Sequence, residues 1–272
     1  AALARGVGGA RFIRGLRFLL DTPPPPADST VSVIANTGDD ITLFGLRVSP
    51  DVDTLLYTLG NGVHEGQGWG RADESHRVQG ELAAYGALPQ WFALGDLDFG
   101  THIVRSQWLG QGVPLSEVTA RLAARWGLPE RRITLLPMSD VPVETHVVVA
   151  DGEDGAERAI HFQEWWVRHQ ASIPAQRFVV AGLDRATAAP GVLDAIRSAD
   201  VTRGMSKPRL VPAMALTSTS SMALGLGAAP FALMPTFCAT APCDRASRAE
   251  AMIRRTGANV ERMARKVVQN NF

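Results

Sequence analysis

Cysteine is almost absent. The 272 residues hold only Cys238 and Cys243, with four residues between them and no His or further Cys near them in sequence. A zinc site needs more ligands than that and a disulfide framework needs more pairs, so neither organises this chain. A reduced, cytoplasmic setting is the expectation. Net charge is missing as well, with 27 Lys and Arg against 27 Asp and Glu, which removes any whole-protein electrostatic pull towards nucleic acid or an anionic membrane. No uninterrupted run of about 18 apolar residues occurs, so no membrane-spanning segment is expected, and the N-terminus lacks the plan of a signal peptide.

What is present is a sizeable apolar content, 46%, enough for one large α/β domain or one domain with an appendage. The zero net charge is uneven along the chain. Residues 201–272 carry ten Lys and Arg against three acids, a balance of +7, and residues 1–200 carry seventeen against twenty-four, a balance of −7.

The densest chemistry lies in Asn36-Thr37-Gly38-Asp39-Asp40 and, a short interval later, Ser49-Pro50-Asp51-Val52-Asp53-Thr54. Four carboxylates follow directly on Val31-Ser32-Val33-Ile34-Ala35, a β-branched apolar run that predicts a buried strand. Acids at a strand's carboxyl end sit where open α/β sheets bind ligands. Carboxylates crowded there repel one another unless a cation or backbone N–H groups offset the charge, and an all-oxygen ligand set suits a hard ion such as Mg2+. The plainer alternative is that Asp39 and Asp40 cap a helix and Pro50-Asp51 forms a turn.

The chain opens on Arg5-Gly6-Val7-Gly8-Gly9-Ala10 running into a helical pattern over Phe12–Leu20. Such a turn either brings backbone N–H groups to a phosphate or simply packs closely, and only Ala1 to Ala4 are left for a preceding strand. Four prolines at 23–26 mark a loop. A helix over Thr54–Leu59 is expected to stop at Gly60-Asn61-Gly62. Gly66-Gln67-Gly68-Trp69-Gly70 reads as a mobile loop over a flat ligand or as the seat of a buried anchor Trp. A helix is expected at Glu81–Tyr85.

Trp91 to His102 reads as a strand that breaks at Gly95 into a second acidic loop, with Asp96-x-Asp98 repeating the spacing of Asp51-x-Asp53, and Ile103–Leu109 continues as helix. Two such loops after two parallel strands would converge on one crevice. His102 taken alone reads as a partly buried, hydrogen-bonded histidine. Ser116 is expected to cap a helix ending near Gly127, Ile133–Leu136 to form a strand, and His146–Ala150 with Ala159–Glu164 a hairpin. Trp165-Trp166 then begins a helix or an aromatic lid, and a last strand at Arg177–Ala181 precedes a helix at Val192–Ser198. Strands and helices alternating in this way predict a parallel α/β sheet.

Taken in order, Gly6-Val7-Gly8-Gly9-Ala10-Arg11-Phe12, Asn36-Thr37-Gly38-Asp39-Asp40, Leu46-Arg47-Val48-Ser49-Pro50-Asp51-Val52-Asp53-Thr54, Gly68-Trp69-Gly70, Trp91-Phe92-Ala93-Leu94-Gly95-Asp96-Leu97-Asp98 with Thr101-His102 and Arg105, Leu136-Pro137-Met138-Ser139-Asp140, and His161-Phe162-Gln163-Glu164 resemble the successive motifs of the 2-phospho-L-lactate transferase family, in its actinobacterial form. The resemblance runs from residue 6 to about residue 200.

It implies an α/β fold with a Rossmann-like parallel sheet, flanking helices and a smaller acceptor-binding insertion at about 60–130. The implied chemistry is transfer of a phospholactyl or enolpyruvyl phosphate group from its guanosine diphosphate donor to the deazaflavin FO, releasing GMP, in the making of coenzyme F420, with Mg2+ required. Residue by residue, the resemblance implies that Gly8, Gly9, Asn36 and Thr37 hold the guanosine diphosphate portion. It puts Asp51 and Asp53 at the metal and the acceptor hydroxyl, and has Trp91, Asp96, Asp98 and Arg105 line the acceptor side, with Asp39, Asp40 and His102 as further binding residues. Family members often dimerise. A related branch shares the Gly-rich turn and the Asn-Thr-x-Asp-Asp element but is a non-catalytic, nucleotide-sugar-binding regulator; the two Asp-x-Asp pairs and Gly68-Trp69-Gly70 favour the transferase.

After Ala199-Asp200-Val201 the resemblance ends, at the point where the charge balance reverses. A changed reading frame or a truncated copy would produce such a coincidence. Within the divergent basic segment 201–272 only Val260, Met263, Ala264, Val267 and Val268 keep helical spacing, expected as a solvated terminal helix, with a partner or membrane-surface helix as the alternative.

Overall fold

Strand β2 (Val31–Ala35) is flanked on both sides by parallel partners, β1 (Ala2–Ala4) and β5 (Ile133–Pro137). This computed structural model describes residues 1–21, 29–151, 156–200 and 203–204, all within the unit Ala1–Lys207. Strand β9 (Arg203–Gly204) adds to the other edge of β1, giving the order β5-β2-β1-β9. Three residues suffice for β1 because both of its edges are paired and Ala2 and Ala4 are buried. The tetraproline loop and most of the basic segment lie outside the described residues.

Helix α1 (Gly6–Asp21) follows β1 after a single residue, and α2 (Pro50–Leu59) packs along it. Ile13 of α1 and Val52, Leu55 and Leu56 of α2 close on Val33 and Leu135 of the sheet. Each is almost fully buried, and burying a side chain of that size contributes roughly 1.5–3 kcal/mol. Helix α2 starts on Pro50, whose fixed φ and missing N–H suit a first turn, and its early Asp51 and Asp53 complement the positive end of the helix dipole. It stops at Gly60 as expected. Trp126 explains the glycines there: a Cβ at Gly60 or Gly62 would lie 2.6 or 2.3 Å from the indole.

Between α2 and β5 run α3 (Arg77–Ala84), α4 (Asp96–Gly110) and α5 (Leu115–Arg125). A small hairpin, β3 (Ile41–Leu43) with β4 (Leu46–Val48), joins the acidic loop to α2. Two sequence expectations fail here. Residues 91–94 form no strand, because Trp91 and Phe92 pack against the hairpin residues Ile41, Leu43 and Val48 rather than into a ladder, and helix begins already at Asp96. Ser116 is no cap either. Pro114 holds the N-cap position, and the Ser116 N–H and hydroxyl both donate to Asp140.

The expected hairpin is present as β6 (Glu144–Asp151) and β7 (Ala156–His161), but β8 (Ala175–Ala181) pairs antiparallel with β6 and makes a separate three-stranded sheet, β7-β6-β8. A π-helical turn, Glu164–Arg168, and a short coil separate β7 from β8. Helix α6 (Val192–Arg197) follows. Among the described residues no helix is long and apolar enough to cross a membrane.

Candidate functional site

The carboxyl ends of β1 and β2 meet the N-terminus of α2 at one corner, and Asp51 is the side chain held there. The Gly6 N–H donates to Asp51 Oδ1 at 2.7 Å and the Asn36 side-chain amide to Oδ2 at 2.7 Å. Gly6 makes the first bond in a left-handed conformation, φ +57°, which glycine adopts at no steric cost. The Gly38 N–H in turn donates to Asn36 Oδ1 at 3.1 Å, which orients the amide. Beside this corner Arg5 grips both oxygens of Asp39, at 2.8 and 3.1 Å. Burial, then the neighbouring Asp39 charge, pushes the Asp51 carboxyl up to about 6.

Gly9 belongs to the same turn for a packing reason. A Cβ there would stand 3.2 Å from the Ala4 side chain, so the glycine lets α1 lie close on β1. Nothing stands within 4 Å of a Cβ at Gly8. Thr37 is buried and its hydroxyl has no partner.

Behind α2 lies a second, wholly buried cluster. Arg105 of α4 is 0% exposed and clasps Asp53 through both terminal nitrogens, one at 3.1 Å to Oδ2. The same guanidinium donates to the Arg47 carbonyl at 3.3 Å and to His102 Nδ1 at 3.1 Å. Burial works against its charge, but Asp53 outweighs this and raises the Arg105 pKa. Burial holds His102 neutral, with its pKa lowered to about 4. Asp40 accepts from the Ser49 hydroxyl at 2.7 Å with Arg47 at 3.6 Å, and burial still pushes its carboxyl up to about 8.

The second acidic pair departs from expectation. Asp96 accepts from the Ser75 hydroxyl at 2.6 Å and from the Val78 N–H at 3.0 Å, at the start of α3. It joins α4 to α3 rather than lining a crevice. Asp98 is half-buried and its carboxyl is pushed up to about 6 by burial, with Asp53 and Glu74 adding to the rise. Trp91 is half-buried, edge-on to Phe92 at 5.7 Å. Trp69 is 51% exposed, so it is no buried anchor.

A sequence model described as "2-phospho-L-lactate transferase CofD" matches residues 1–206. The chain belongs to that family. Among its relatives, the phosphoenolpyruvate transferase of Thermobifida fusca is 60% identical over 200 residues, covering 73% of this chain and 61% of that protein. That of Streptomyces griseus is 59% identical over 199 residues, covering 73% and 59%. That of Mycobacterium sp. strain JLS is 50% identical over 206 residues, covering 73% and 61%. The chain thus spans about three fifths of the length of the curated relatives it matches. A solved structure of a Bacillus halodurans protein superposes with a TM-score of 0.43 at 17% identity, covering 74% of this chain and 56% of that one.

Within this CofD family member most of the residues singled out in sequence fall into three groups. Gly8, Gly9, Asn36, Thr37, Asp39 and Asp51 gather at the corner of β1, β2 and α2. Asp40, Asp53, His102 and Arg105 form the buried cluster behind it, where Arg105 is closed off from the surface and both Asp53 oxygens are taken by it. Asp96 stays with α3, apart from both. Arg5, Gly6, Arg47 and Ser49 complete these clusters. Arg5 carried a signal, being a cation directly before a Gly-rich turn. For Arg47 nothing in sequence pointed to its place between Asp40 and Arg105.

Proposed function

We propose that this chain supplies the diphosphate-handling side of a transferase that moves an enolpyruvyl phosphate group from a guanosine diphosphate donor to FO, with release of GMP. The choice of the enolpyruvyl donor over the lactyl one is supported by the relatives named phosphoenolpyruvate transferase. The single observation that carries the reading is Asp51, held at the strand ends by Gly6 and Asn36 beside a Gly-rich turn that opens a helix. In the transfer, the FO hydroxyl oxygen forms a bond to the phosphorus bearing the enolpyruvyl group, the bridging P–O bond breaks, and GMP leaves with that electron pair. Such a reaction needs positioning and charge neutralisation more than covalent help. The Val7 and Gly8 N–H groups in the first turn of α1 hold the donor's phosphate oxygens, aided by the helix dipole. Asp98 is the acceptor-side carboxylate that takes the hydroxyl proton.

Mg2+ fits Asp51 and does not fit Asp53. Each Asp51 oxygen takes one hydrogen bond and so keeps acceptor capacity, and the Asp39 charge beside it favours a cation there. Both Asp53 oxygens are on buried Arg105. Among the described residues no group of three or more His, Cys, Asp or Glu forms a metal cage, which agrees with an ion that binds through one or two carboxylates plus substrate phosphates. When bound, Mg2+ would neutralise charge on the diphosphate.

The test is a titration of the protein with FO, followed through the deazaflavin's own fluorescence, then addition of the guanosine diphospho-acid with Mg2+. Saturable FO binding followed by GMP release is expected. FO binding without GMP release would locate the failure at the donor side, and no FO binding would turn the reading to a nucleotide-sugar regulator.

A further inference from the structure

The loop Asn36–Asp40 presents three successive carbonyls, and all three are taken by the antiparallel sheet or the turn that follows it. The Thr145 N–H donates to the Gly38 carbonyl at 2.7 Å. The Gln163 side-chain amide donates to the Asp39 carbonyl at 3.3 Å, and His161 Nε2 lies 3.0 Å from the Asp40 carbonyl. His161 is fixed in one tautomer by its other nitrogen. The Gln163 N–H donates to Nδ1 at 3.0 Å, so the ring proton is on Nε2 and is donated to Asp40. The His146 ring stands edge-on to it at 5.4 Å, from the directly opposed position on β6, and fixes its plane.

We propose that His161 and Gln163 are positioning residues for the donor-binding loop. By turning the Asp39 and Asp40 carbonyls towards the small sheet, they leave Asn36 on Asp51 and Asp39 on Arg5. The parallel sheet alone does not achieve this. Its last bond to the loop is the Asn36 N–H to the Ala4 carbonyl at 3.2 Å, and beyond that the loop's own backbone N–H bonds are the short-range Gly38 and Asp40 contacts to Asn36 and Thr37. The small sheet therefore serves as the outer jaw of the site although none of its side chains belongs to the acidic motif. The inference rests on reading this loop as part of the guanosine diphosphate site.

The test compares the parent protein with His161→Gln and His161→Asn, titrated calorimetrically with GDP. A Gln amide nitrogen takes the place of Nε2 and keeps the bond to Asp40, whereas an Asn oxygen takes the place of Nδ1 and keeps only the local bond to Gln163. His161→Gln is expected to stay within about threefold of the parent and His161→Asn to lose about tenfold in affinity. Amide hydrogen exchange over residues 36–41 is expected to quicken in His161→Asn and to return in His161→Gln. Equal affinity in all three proteins overturns the inference and leaves the donor-site reading standing. Equal weakening of both variants also overturns it, since the ring rather than its bond to Asp40 would then matter. If the parent itself binds no GDP, the donor-site reading fails and this inference falls with it. Should His161→Asn not fold, Gln163→Met, which removes the donor to Asp39 at similar volume, is taken through the same titration; a loss of affinity supports the inference and unchanged affinity overturns it.

Discussion

The first turns of α2 and α4 carry the same Asp-x-Asp spacing, one position further along in α2, yet they do different work. In α2 the pair straddles the helix. Asp51 faces the strand ends and is held by Gly6 and Asn36, while Asp53 faces inward onto Arg105. In α4 the helix starts from an irregular segment of the insertion, and Asp96 turns back onto α3. Two residues along a helix advance about 200°, so an i, i+2 pair cannot share one face. The spacing that suggests two ligands of one ion in sequence thus separates them in a helix, and of the four only Asp51 is held at the strand ends by Gly6 and Asn36.

The comparison breaks most sharply at Asp53. Asp53→Ala leaves Arg105 charged, buried and unpaired, and removing one partner of such a pair costs about 3–5 kcal/mol. Denaturant unfolding should show that loss, and a variant as stable as the parent would contradict the buried pairing. Asp51→Asn keeps an acceptor for Gly6 but removes the charge. It should fold normally and lose at least about 100-fold in GMP release, as expected when a group that positions reacting phosphate is lost. Turnover of the parent should rise with pH through about 6, as Asp51 and Asp98 ionise; full activity in Asp51→Asn would refute its assignment.

Asp40 sharpens the comparison through pH. Its folded carboxyl, pushed up to about 8 from an ordinary 3.8, binds its proton more tightly than in the unfolded chain. Its contribution is complete below about pH 4 and is lost as pH rises towards 8. Asp40→Asn should remove this slope and melt a few degrees higher than the parent near pH 8, since about 1 kcal/mol moves a domain of this size by roughly 2–4 °C. The smallest effect is expected for Asp96→Ala. It loosens the start of α3, measurable as a slight drop in melting temperature, and leaves GMP release within about twofold of the parent. A collapse of turnover in Asp96→Ala would restore Asp96 to the acceptor side.

The parallel core was legible because its signals are local. A β-branched run before an acidic loop predicts β2, Pro50 and Gly60 bracket α2, and the Gly-rich turn opens α1. The stretch Trp91–Leu94 has a strand-like sequence but no ladder, because aromatic residues suit strands and side packing alike, and here Trp91 and Phe92 cover the hairpin β3–β4. Alternation of elements likewise suggested one parallel sheet. Instead β8 pairs antiparallel with β6, and β7, β6 and β8 make a sheet of their own.

By itself the sequence determined the family, the order of the core elements and the placing of an acidic loop at a strand's carboxyl end, because periodicity, turn residues and motif order are properties of neighbouring residues. Only the tertiary structure decided which carboxylate is held at the crevice and which is buried, since that depends on partners far off along the chain. Asp53 meets Arg105 across 52 positions and the Asp40 carbonyl meets His161 across 121. Burial and charge pairing, which set the chemistry of each acid, exist only once those distant residues are brought together.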